Sequence, residues 1–232
     1  MKISLISPER NEKDILEELV KRVERVMSKR FKANEWEYII VDDASDDGSA
    51  EKLKELAKSC KNLRPVLHRE RKFQTGCFQT GFENAKGDYV ITMDSDLQVL
   101  PEDLPLFFDK IGQGYELVNA IRENRQHPFW MKLASRCYNI LMLLFFDCPV
   151  FDAASNYTAI KRSYVKNLKL HHNDHRYLIP ILQTKGLKRI GEVVVRHEKR
   201  SRGKSKYSAL PKYLKGFPEI FWAFVRIKGK KY

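Results

Sequence analysis

The chain has 232 residues, of which 43% are hydrophobic and 31% are charged, and its formal net charge is +13. This composition is sufficient for one domain with a full hydrophobic core. The four cysteines form no Cys-x-x-Cys pair, which argues against a zinc site or a disulfide framework and indicates reduced thiols in a cytosolic protein. The longest apolar run, residues 140–146, is far shorter than the roughly 18 residues of a spanning helix, and early charged residues argue against a signal peptide.

The first half of the chain alternates predicted strands and helices. Strands are predicted at KISLIS, WEYIIVDD, RPVLH, YVITM and YELVNAI. Helices are predicted over residues 12–30, over SAEKLKELAKSC with Ser49 as its cap, over residues 74–86 with Gly87 as its stop, and from Pro101 onwards. This alternation predicts an α/β fold with a mostly parallel sheet and right-handed crossovers.

The second half is less regular and ends in a basic tail. Helices are predicted over residues 129–146 and over HRYLIPILQTKG, and strands at NYTAI and RIGEVVV. Residues 196–232 carry a net charge of +10, which leaves +3 for the rest of the chain. Such asymmetry favours a polyanionic partner, which would be phosphate groups, an anionic membrane surface or nucleic acid.

Two acidic pairs follow two of the predicted strands. Asp42 and Asp43 follow YIIV, and Asp94 and Asp96 follow YVITM. Ligands of open α/β sheets bind beyond the carboxyl ends of the strands, and adjacent carboxylates repel unless a cation or hydrogen-bond donors intervene. One pair is therefore a candidate for a divalent cation that bridges to a diphosphate, and the other for a base or ribose. The alternative is two ordinary Asp-rich turns.

Four motifs in this order resemble glycosyltransferase family 2, and within it the polyprenyl-phosphate sugar transferases of the dolichol-phosphate mannose synthase type. The motifs are SPERNE, VDDASDDGS, GFENAKGDYVITMDSDLQ and HEKRSRGKSKYS. The chain departs from the family where Glu9 and Arg10 replace an aromatic step and where RKFQTGCFQTG lacks the usual R-N-x-G. The resemblance implies the GT-A fold, a mostly parallel sheet flanked by helices, and a UDP- or GDP-sugar donor.

The resemblance also assigns the donor site. It implies a nucleotide pocket formed by Pro8, Glu12, Asp42, Asp43 and Asp94. It implies a Mg or Mn site at Asp94, Asp96 and Gln98, in which Asp96 faces the diphosphate. The amide oxygen of Gln98 is a hard neutral ligand that suits such a cation.

The basic loop after RIGEVVV is expected to close over the donor diphosphate. By the resemblance, Arg200, Arg202 and Lys204 stabilise the leaving nucleotide, because cations placed where negative charge develops lower the barrier. The alternatives are a solvated basic loop and a nucleic-acid patch. A nucleic-acid module remains the distant alternative for the whole chain, although it gives no reason for acid clusters that would repel a phosphate backbone.

The resemblance assigns acceptor binding to a second group of residues. Its members are Arg122, Arg125, Asp152, His175 and Arg176. Surface arginines, a turn aspartate and a capping turn at Asp174 are the ordinary alternatives. The predicted reaction is a single inverting displacement, and a phosphate acceptor, already anionic, needs no general base. Asp174 is the candidate base only if the acceptor is a hydroxyl, since an alcohol must lose its proton.

The expected enzyme is thus a metal-dependent hexosyltransferase of cell-envelope biosynthesis that acts on a polyprenyl (undecaprenyl or dolichyl) phosphate, with no nucleic-acid partner. The alternative is transfer to a saccharide or lipid-linked hydroxyl. Residues 1–210 are expected to form the GT-A domain, and residues 211–232 an amphipathic basic segment that places the protein on the cytoplasmic face of the membrane. Packing of that segment in the core or against a separate membrane subunit is the other possibility.

Overall fold

The fold is described from a computed structural model that covers residues 1–123, 129–171, 173–198 and 209–229. The backbone alone is considered for residues 129–132 and 209–218. Arg125, Arg200, Arg202 and Lys204 lie outside the described residues.

Within the described residues, seven strands form one mixed sheet, which confirms the predicted α/β fold. The strands are β1 (Ile3–Glu9), β2 (Trp36–Asp42), β3 (Leu63–Leu67), β4 (Tyr89–Thr92), β5 (Leu117–Arg122), β6 (Thr158–Lys161) and β7 (Ile190–Val195). Their order in the sheet is β3-β2-β1-β4-β6-β5-β7. Only β6 runs antiparallel to its neighbours, β4 and β5, and the remaining pairs are parallel.

Helices cover the sheet and bury apolar side chains on both of its faces. The helices are α1 (Lys13–Ser28), α2 (Ser49–Ser59), α3 (Phe73–Asn84), α4 (Leu104–Gly112), α5 (Phe129–Phe146), α6 (Arg162–Val165), α7 (Leu178–Thr184) and α8 (Ala209–Gly229). Two 3₁₀ turns, Pro101–Asp103 and Asp174–Tyr177, precede α4 and α7. The helix predicted over HRYLIPILQTKG is therefore a 3₁₀ turn followed by a shorter α-helix.

Parallel pairing brings the carboxyl ends of the central strands to one edge of the sheet. Glu9, the last residue of β1, is in register with Asp42, the last residue of β2. On the other side of β1, Ile6 is in register with Thr92, the last residue of β4, two positions before Asp94. The two acidic pairs seen in the sequence thus follow strands that flank the same central strand.

Two local predictions were wrong in detail. Ser49 is not the cap of α2 but its first helical residue, and Asp47 accepts hydrogen bonds from the Ser49 N–H at 2.9 Å and from its hydroxyl at 2.6 Å. α3 ends at Asn84, so Gly87 does not terminate it. Gly87 instead passes close to β1: a Cβ at this position would lie 2.6 Å from the Ser4 nitrogen.

The described part of the C-terminal helix α8 packs one face inward and leaves the other exposed. Ile220, Ala223 and Ile227 are buried, and the Phe224 ring lies 5.3 Å from the ring of Phe145 on α5. Phe221, Trp222 and Val225 are exposed on the same helix. Among the described residues, no helix is both long enough and apolar enough to cross a membrane.

Candidate active site

Glu9 and Asp42 form a buried acidic pair at the ends of β1 and β2. Their residues are 3% and 2% exposed. Ser45 donates its hydroxyl to Glu9 Oε1 at 3.2 Å and its N–H to Asp42 Oδ2 at 3.3 Å. Burial, followed by the contact with Asp42, raises the pKa of Glu9 to about 9. This raised pKa keeps Glu9 protonated at neutral pH.

Asp43 lies at the N-terminus of α3. Its carboxylate accepts the N–H of Lys72 at 2.6 Å and the N–H of Phe73 at 3.0 Å. These are N–H groups that the first turn of a helix leaves without an intrahelical partner, and the helix dipole favours an anion there. Phe73 has φ +60°, so the loop before α3 enters the helix through a left-handed residue.

The loops after β1 and β2 are tied to each other. Asn11 donates its side-chain amide to Asp46 at 2.7 Å and accepts the Asp46 N–H at 3.0 Å. Asn11 and Ala44 both have φ +55°. Pro8 and Glu12, the other residues expected at the nucleotide pocket, are half-buried in the same strand end and loop. These contacts bring SPERNE and VDDASDDGS together, as a shared pocket requires.

Asp94 and Asp96 interact electrostatically, and Asp94 is held by polar side chains from α3 and from the segment before β6. Asp94 Oδ1 accepts the side-chain amides of Gln74 on α3, at 3.0 Å, and of Asn156, at 3.3 Å. Asp96 Oδ1 accepts the N–H of Gln98 at 3.1 Å across Leu97, which has φ +57°. Burial raises the pKa of Asp94, and burial together with the Asp94 charge raises the pKa of Asp96 to about 6.

The segment that leads into the basic loop pairs with the Asp94–Gln98 motif. Val99 and His197 form an antiparallel bridge, and the Glu198 N–H donates to the Gln98 carbonyl at 2.8 Å. The Arg196 guanidinium contacts Asp103 Oδ1 at 2.6 Å. The described residues that precede the basic loop therefore lie beside Gln98 and Val99.

The residues expected on the acceptor side separate into three places. Arg122 and Asp152 form a partly buried ion pair with N–O distances of 2.8 and 3.0 Å. The Arg122 charge partly opposes the rise in the pKa of Asp94 and Asp96 that burial causes. His175 contacts the Thr75 hydroxyl at 2.7 Å and lines a small cleft.

Arg176 turns away from this cleft to Glu219 on α8, at 3.1 Å. Asp174 is fully buried, accepts the His171 N–H at 2.7 Å and forms an ion pair with Arg226. This arrangement gives Asp174 a structural role that links the 3₁₀ turn to α8.

Three residues of the site escaped sequence reasoning. Gln74 and Asn156 are 20 and 62 positions from Asp94, and no local pattern marks them. Glu9 could have been found from the sequence, because it is the last residue of the first strand, as Asp42 is of the second. The cleft beside His175 joins the Asp94 region through Asn156, which donates to Asp94. Its lining combines apolar side chains, such as Phe78 and Ile179, with the hydroxyl residues Thr92, Ser155 and Thr158.

The chain is similar to curated proteins over most of its length. It is 35% identical over 209 residues to the undecaprenyl-phosphate 4-deoxy-4-formamido-L-arabinose transferase of Edwardsiella ictaluri, covering 90% of this chain and 63% of that protein. It is 34% identical over 210 residues to the protein of the same name from Pseudomonas paraeruginosa, covering 90% of this chain and 61% of that protein. The chain thus spans less than two thirds of the length of these relatives.

Solved structures share the fold at low sequence identity. Glucosyl-3-phosphoglycerate synthase from Mycobacterium tuberculosis, solved with Mn²⁺, UDP and glucosyl-3-phosphoglycerate, matches with a TM-score of 0.71 at 17% identity, covering all of this chain and 81% of that one. A mannosyltransferase from Pyrobaculum calidifontis, solved with GDP-Man and Mn²⁺, matches with a TM-score of 0.61 at 20% identity, covering 87% of this chain and 58% of that one.

A family model joins the first three motifs to a defined group of enzymes. The model described as "Glycosyl transferase family 2" matches residues 4–169, which include both acidic pairs and Asn156. The GT-A-like fold and the paired carboxylates at neighbouring strand ends agree with that match. The chain therefore belongs to glycosyltransferase family 2.

Proposed function

We propose that this chain transfers a sugar from a nucleoside diphosphate to a polyprenyl phosphate of the undecaprenyl type, with inversion at the anomeric carbon. The observation that carries the proposal is the arrangement of Asp42, Asp43, Asp94 and Asp96 beyond strands that flank β1. The acceptor class is supported by the 35% identity to undecaprenyl-phosphate transferases. The relatives' names specify a modified arabinose, a pentose, so the hexose expected from the sequence is tested below together with pentose-derived donors.

The second acidic pair has the properties of a divalent metal site. Asp94, Asp96 and the Gln98 side chain offer hard oxygen ligands of the kind that Mg²⁺ and Mn²⁺ take. Burial raises the pKa of both carboxyls, and the Asp94 charge adds to the rise at Asp96, so a bound cation would relieve the cost of ionising them. When bound, the cation would supply positive charge for the donor diphosphate. Gln74 and Asn156 would hold Asp94 in place by donating to its carboxylate.

The donor nucleotide is assigned to the edge formed by β1 and β2. Pro8, Glu12, Asp42 and Asp43 border this edge, and the tied loops of Asn11 and Asp46 give it a fixed shape. The UDP or GDP selectivity is decided by these loops. Arg200, Arg202 and Lys204 are proposed to neutralise the leaving nucleotide, because the segment that precedes them is anchored beside Gln98 and Val99.

The acceptor phosphate is assigned to the cleft beside His175. The Thr75 hydroxyl contacts the His175 ring, the polar lining residues of the cleft suit a phosphate, and its apolar lining residues suit the first part of a prenyl chain. Arg122 and Asp152 are proposed to control the electrostatic potential near this cleft. Arg125, three residues after Arg122, is proposed to belong to the same acceptor group. Arg176, engaged by Glu219, is the weakest member of the group.

The environment of Asp174 favours a phosphate acceptor over a hydroxyl acceptor. A general base must reach the proton that it abstracts, whereas Asp174 is fully buried and paired with Arg226. A phosphate oxygen is already anionic and attacks without a base. Transfer to a saccharide or lipid-linked hydroxyl remains the second candidate function, and it would require another base.

A lipid acceptor implies contact with a membrane surface, and we place the protein on the cytoplasmic face. Phe221, Trp222 and Val225 on α8 and Leu143 and Leu144 on α5 are exposed apolar side chains on two helices in contact. The basic tail, residues 196–232, includes α8, and lysines near an anionic surface contribute about 1 kcal/mol each. A separate membrane subunit is the other partner that these side chains would suit.

The test is a transfer assay with undecaprenyl phosphate in detergent, Mn²⁺, and a panel of UDP- and GDP-linked hexoses and pentose derivatives. The expected product is a sugar-linked lipid that is extracted into organic solvent, and its formation should stop with EDTA and with Asp96→Asn. Asp109→Asn, which changes an exposed carboxylate of α4 that pairs with Arg30, is the matched control and should remain active. Sugar transfer to a saccharide acceptor, with no lipid product from any donor, would replace the proposal with the second candidate.

A further inference from the structure

A mixed group of metal-binding side chains includes Asp43 of the first acidic pair and no residue of the Asp94–Gln98 motif. Asp43, His68 and Cys77 each present one ligand atom, and the three atoms lie within 4.8 Å of one another. No other such group of three or more occurs among the described residues. His68 and Cys77 come from the end of β3 and from α3, nine positions apart, so no sequence motif joins them.

The three side chains are buried and already in contact. The side chains of His68 and Asp43 are 5% and 7% exposed, and the Cys77 residue is 1% exposed. His68 Nδ1 lies 3.3 Å from Asp43 Oδ1, and the Cys77 Sγ lies within 4.8 Å of the ligand atoms of both. The backbone N–H groups of Lys72 and Phe73 hold the Asp43 carboxylate in this position.

The ring of His68 is oriented by a further contact. Its Nε2 lies 2.9 Å from the Thr80 hydroxyl oxygen, and a hydroxyl can either donate or accept a hydrogen bond. If Nδ1 bound a metal, Nε2 would carry the ring proton and donate a hydrogen bond to the Thr80 hydroxyl. Metal-bound histidines commonly have a partner of this kind on the second nitrogen.

We propose that Asp43, His68 and Cys77 form a second metal site, selective for Zn²⁺-like ions, at the border of the nucleotide pocket. Thiolate, imidazole and carboxylate are ligands that zinc binds with tetrahedral geometry, whereas Mg²⁺ and Mn²⁺ prefer oxygen ligands. Zinc binding displaces the thiol proton of Cys77 to solvent, and the fourth position is left for water. A bound zinc ion would occupy the Asp43 carboxylate and keep it from the donor nucleotide, so zinc should inhibit sugar transfer. This inhibition rests on the proposed function, whereas metal binding itself does not.

The experiment uses the reduced, chelator-treated full chain without nucleotide sugar and titrates it with Co²⁺, a spectroscopic substitute for Zn²⁺. We expect a sulfur-to-cobalt charge-transfer band that saturates at one equivalent and disappears on addition of one equivalent of Zn²⁺. Cys77→Ser and His68→Gln should each abolish the band. Cys60→Ser, which removes another buried thiol outside the site, is the matched control and should retain it.

Thr80→Val separates a metal site from an accidental contact. It leaves all three ligands in place but removes the partner of His68 Nε2, and it should weaken Co²⁺ binding about 10- to 100-fold. The proposal is overturned if the wild-type chain gives no charge-transfer band, or if the band persists in both His68→Gln and Cys77→Ser. Circular dichroism of each variant confirms that it is folded, and His68→Gln serves alone if Cys77→Ser does not fold.

The nucleotide arm distinguishes failure of this inference from failure of the proposed function. UDP or GDP, added to the cobalt-loaded chain without Mn²⁺, should compete for Asp43 and lower the band in proportion to nucleotide concentration. A band that is present but insensitive to both nucleotides supports the metal site and refutes the assignment of Asp43 to the nucleotide pocket.

Discussion

The protonation of Glu9 predicts how the stability of the protein depends on pH. Glu9 Oε2 and Asp42 Oδ1 are both buried and accept no hydrogen bond from a donor among the described residues. When Glu9 is protonated, its carboxyl group can donate a hydrogen bond to Asp42, so these oxygens gain the hydrogen-bond partner that they lack. The nearby Asp47 carboxylate adds to the repulsion that an ionised Glu9 would meet.

The sign and size of the effect follow from the pKa of Glu9, which is raised from 4.5 to about 9. In the unfolded chain Glu9 ionises above pH 4.5, whereas in the folded chain it keeps its proton until about pH 9. The unfolded state therefore binds fewer protons in this window, and the free energy of unfolding falls as pH rises. The slope is about 1.4 kcal/mol per pH unit, or about 4 kcal/mol between pH 5 and pH 8, as an upper estimate for one group.

The assay is urea unfolding at pH 5, 6.5 and 8, followed by fluorescence of the buried Trp36, and it compares the wild-type chain with Glu9→Gln. Glutamine cannot ionise but can still donate to Asp42 and accept from Ser45. The difference in free energy of unfolding between the variant and the wild type should shift in favour of the variant by about 4 kcal/mol as the pH rises from 5 to 8. Glu51→Gln, at an exposed position of α2, is the control. Equal pH slopes in Glu9→Gln and wild type would mean that Glu9 is ionised in the folded state.

Two further changes test the packing of the fold by the same unfolding measurement. Arg226→Met leaves the buried Asp174 carboxylate without its ion-pair partner and should cost about 3 kcal/mol or more; an unchanged urea midpoint would refute a stabilising role for the pair. Gly87→Ala places a Cβ 2.6 Å from the Ser4 nitrogen and should cost about 3 kcal/mol, because backbone cannot move aside. Gly112→Ala, whose Cβ meets nothing within 4 Å at the end of α4, should change stability by less than about 1 kcal/mol.

The two sets of acids show where sequence reasoning succeeds. Asp42, Asp43, Asp94 and Asp96 follow strands whose apolar pattern is plain, and parallel strands end at a common edge. Their convergence on one edge therefore follows from topology alone. The mostly parallel sheet is predicted for the same reason, since alternating strands and helices allow few other arrangements.

Sequence reasoning fails at the helix ends and at residues whose role depends on a distant side chain. Ser49 is a good cap by type, but the Asp47 carboxylate reaches the first helical N–H and replaces it. Asp174 is a plausible base by sequence, yet tertiary packing buries it against Arg226. In both cases a neighbouring side chain, which local propensity does not include, decides the role of the residue.

The amino-acid sequence by itself determined the order of strands and helices, the family, and the positions of the acidic pairs, because these depend on local periodicity and on motifs contiguous in the chain. Only the tertiary structure decided that Gln74 and Asn156 hold Asp94, that Glu9 keeps a proton, and that His68 and Cys77 meet at Asp43. Those outcomes depend on burial and on contacts between distant elements, which set the electrostatic energy of each group and leave no trace in the spacing of residues.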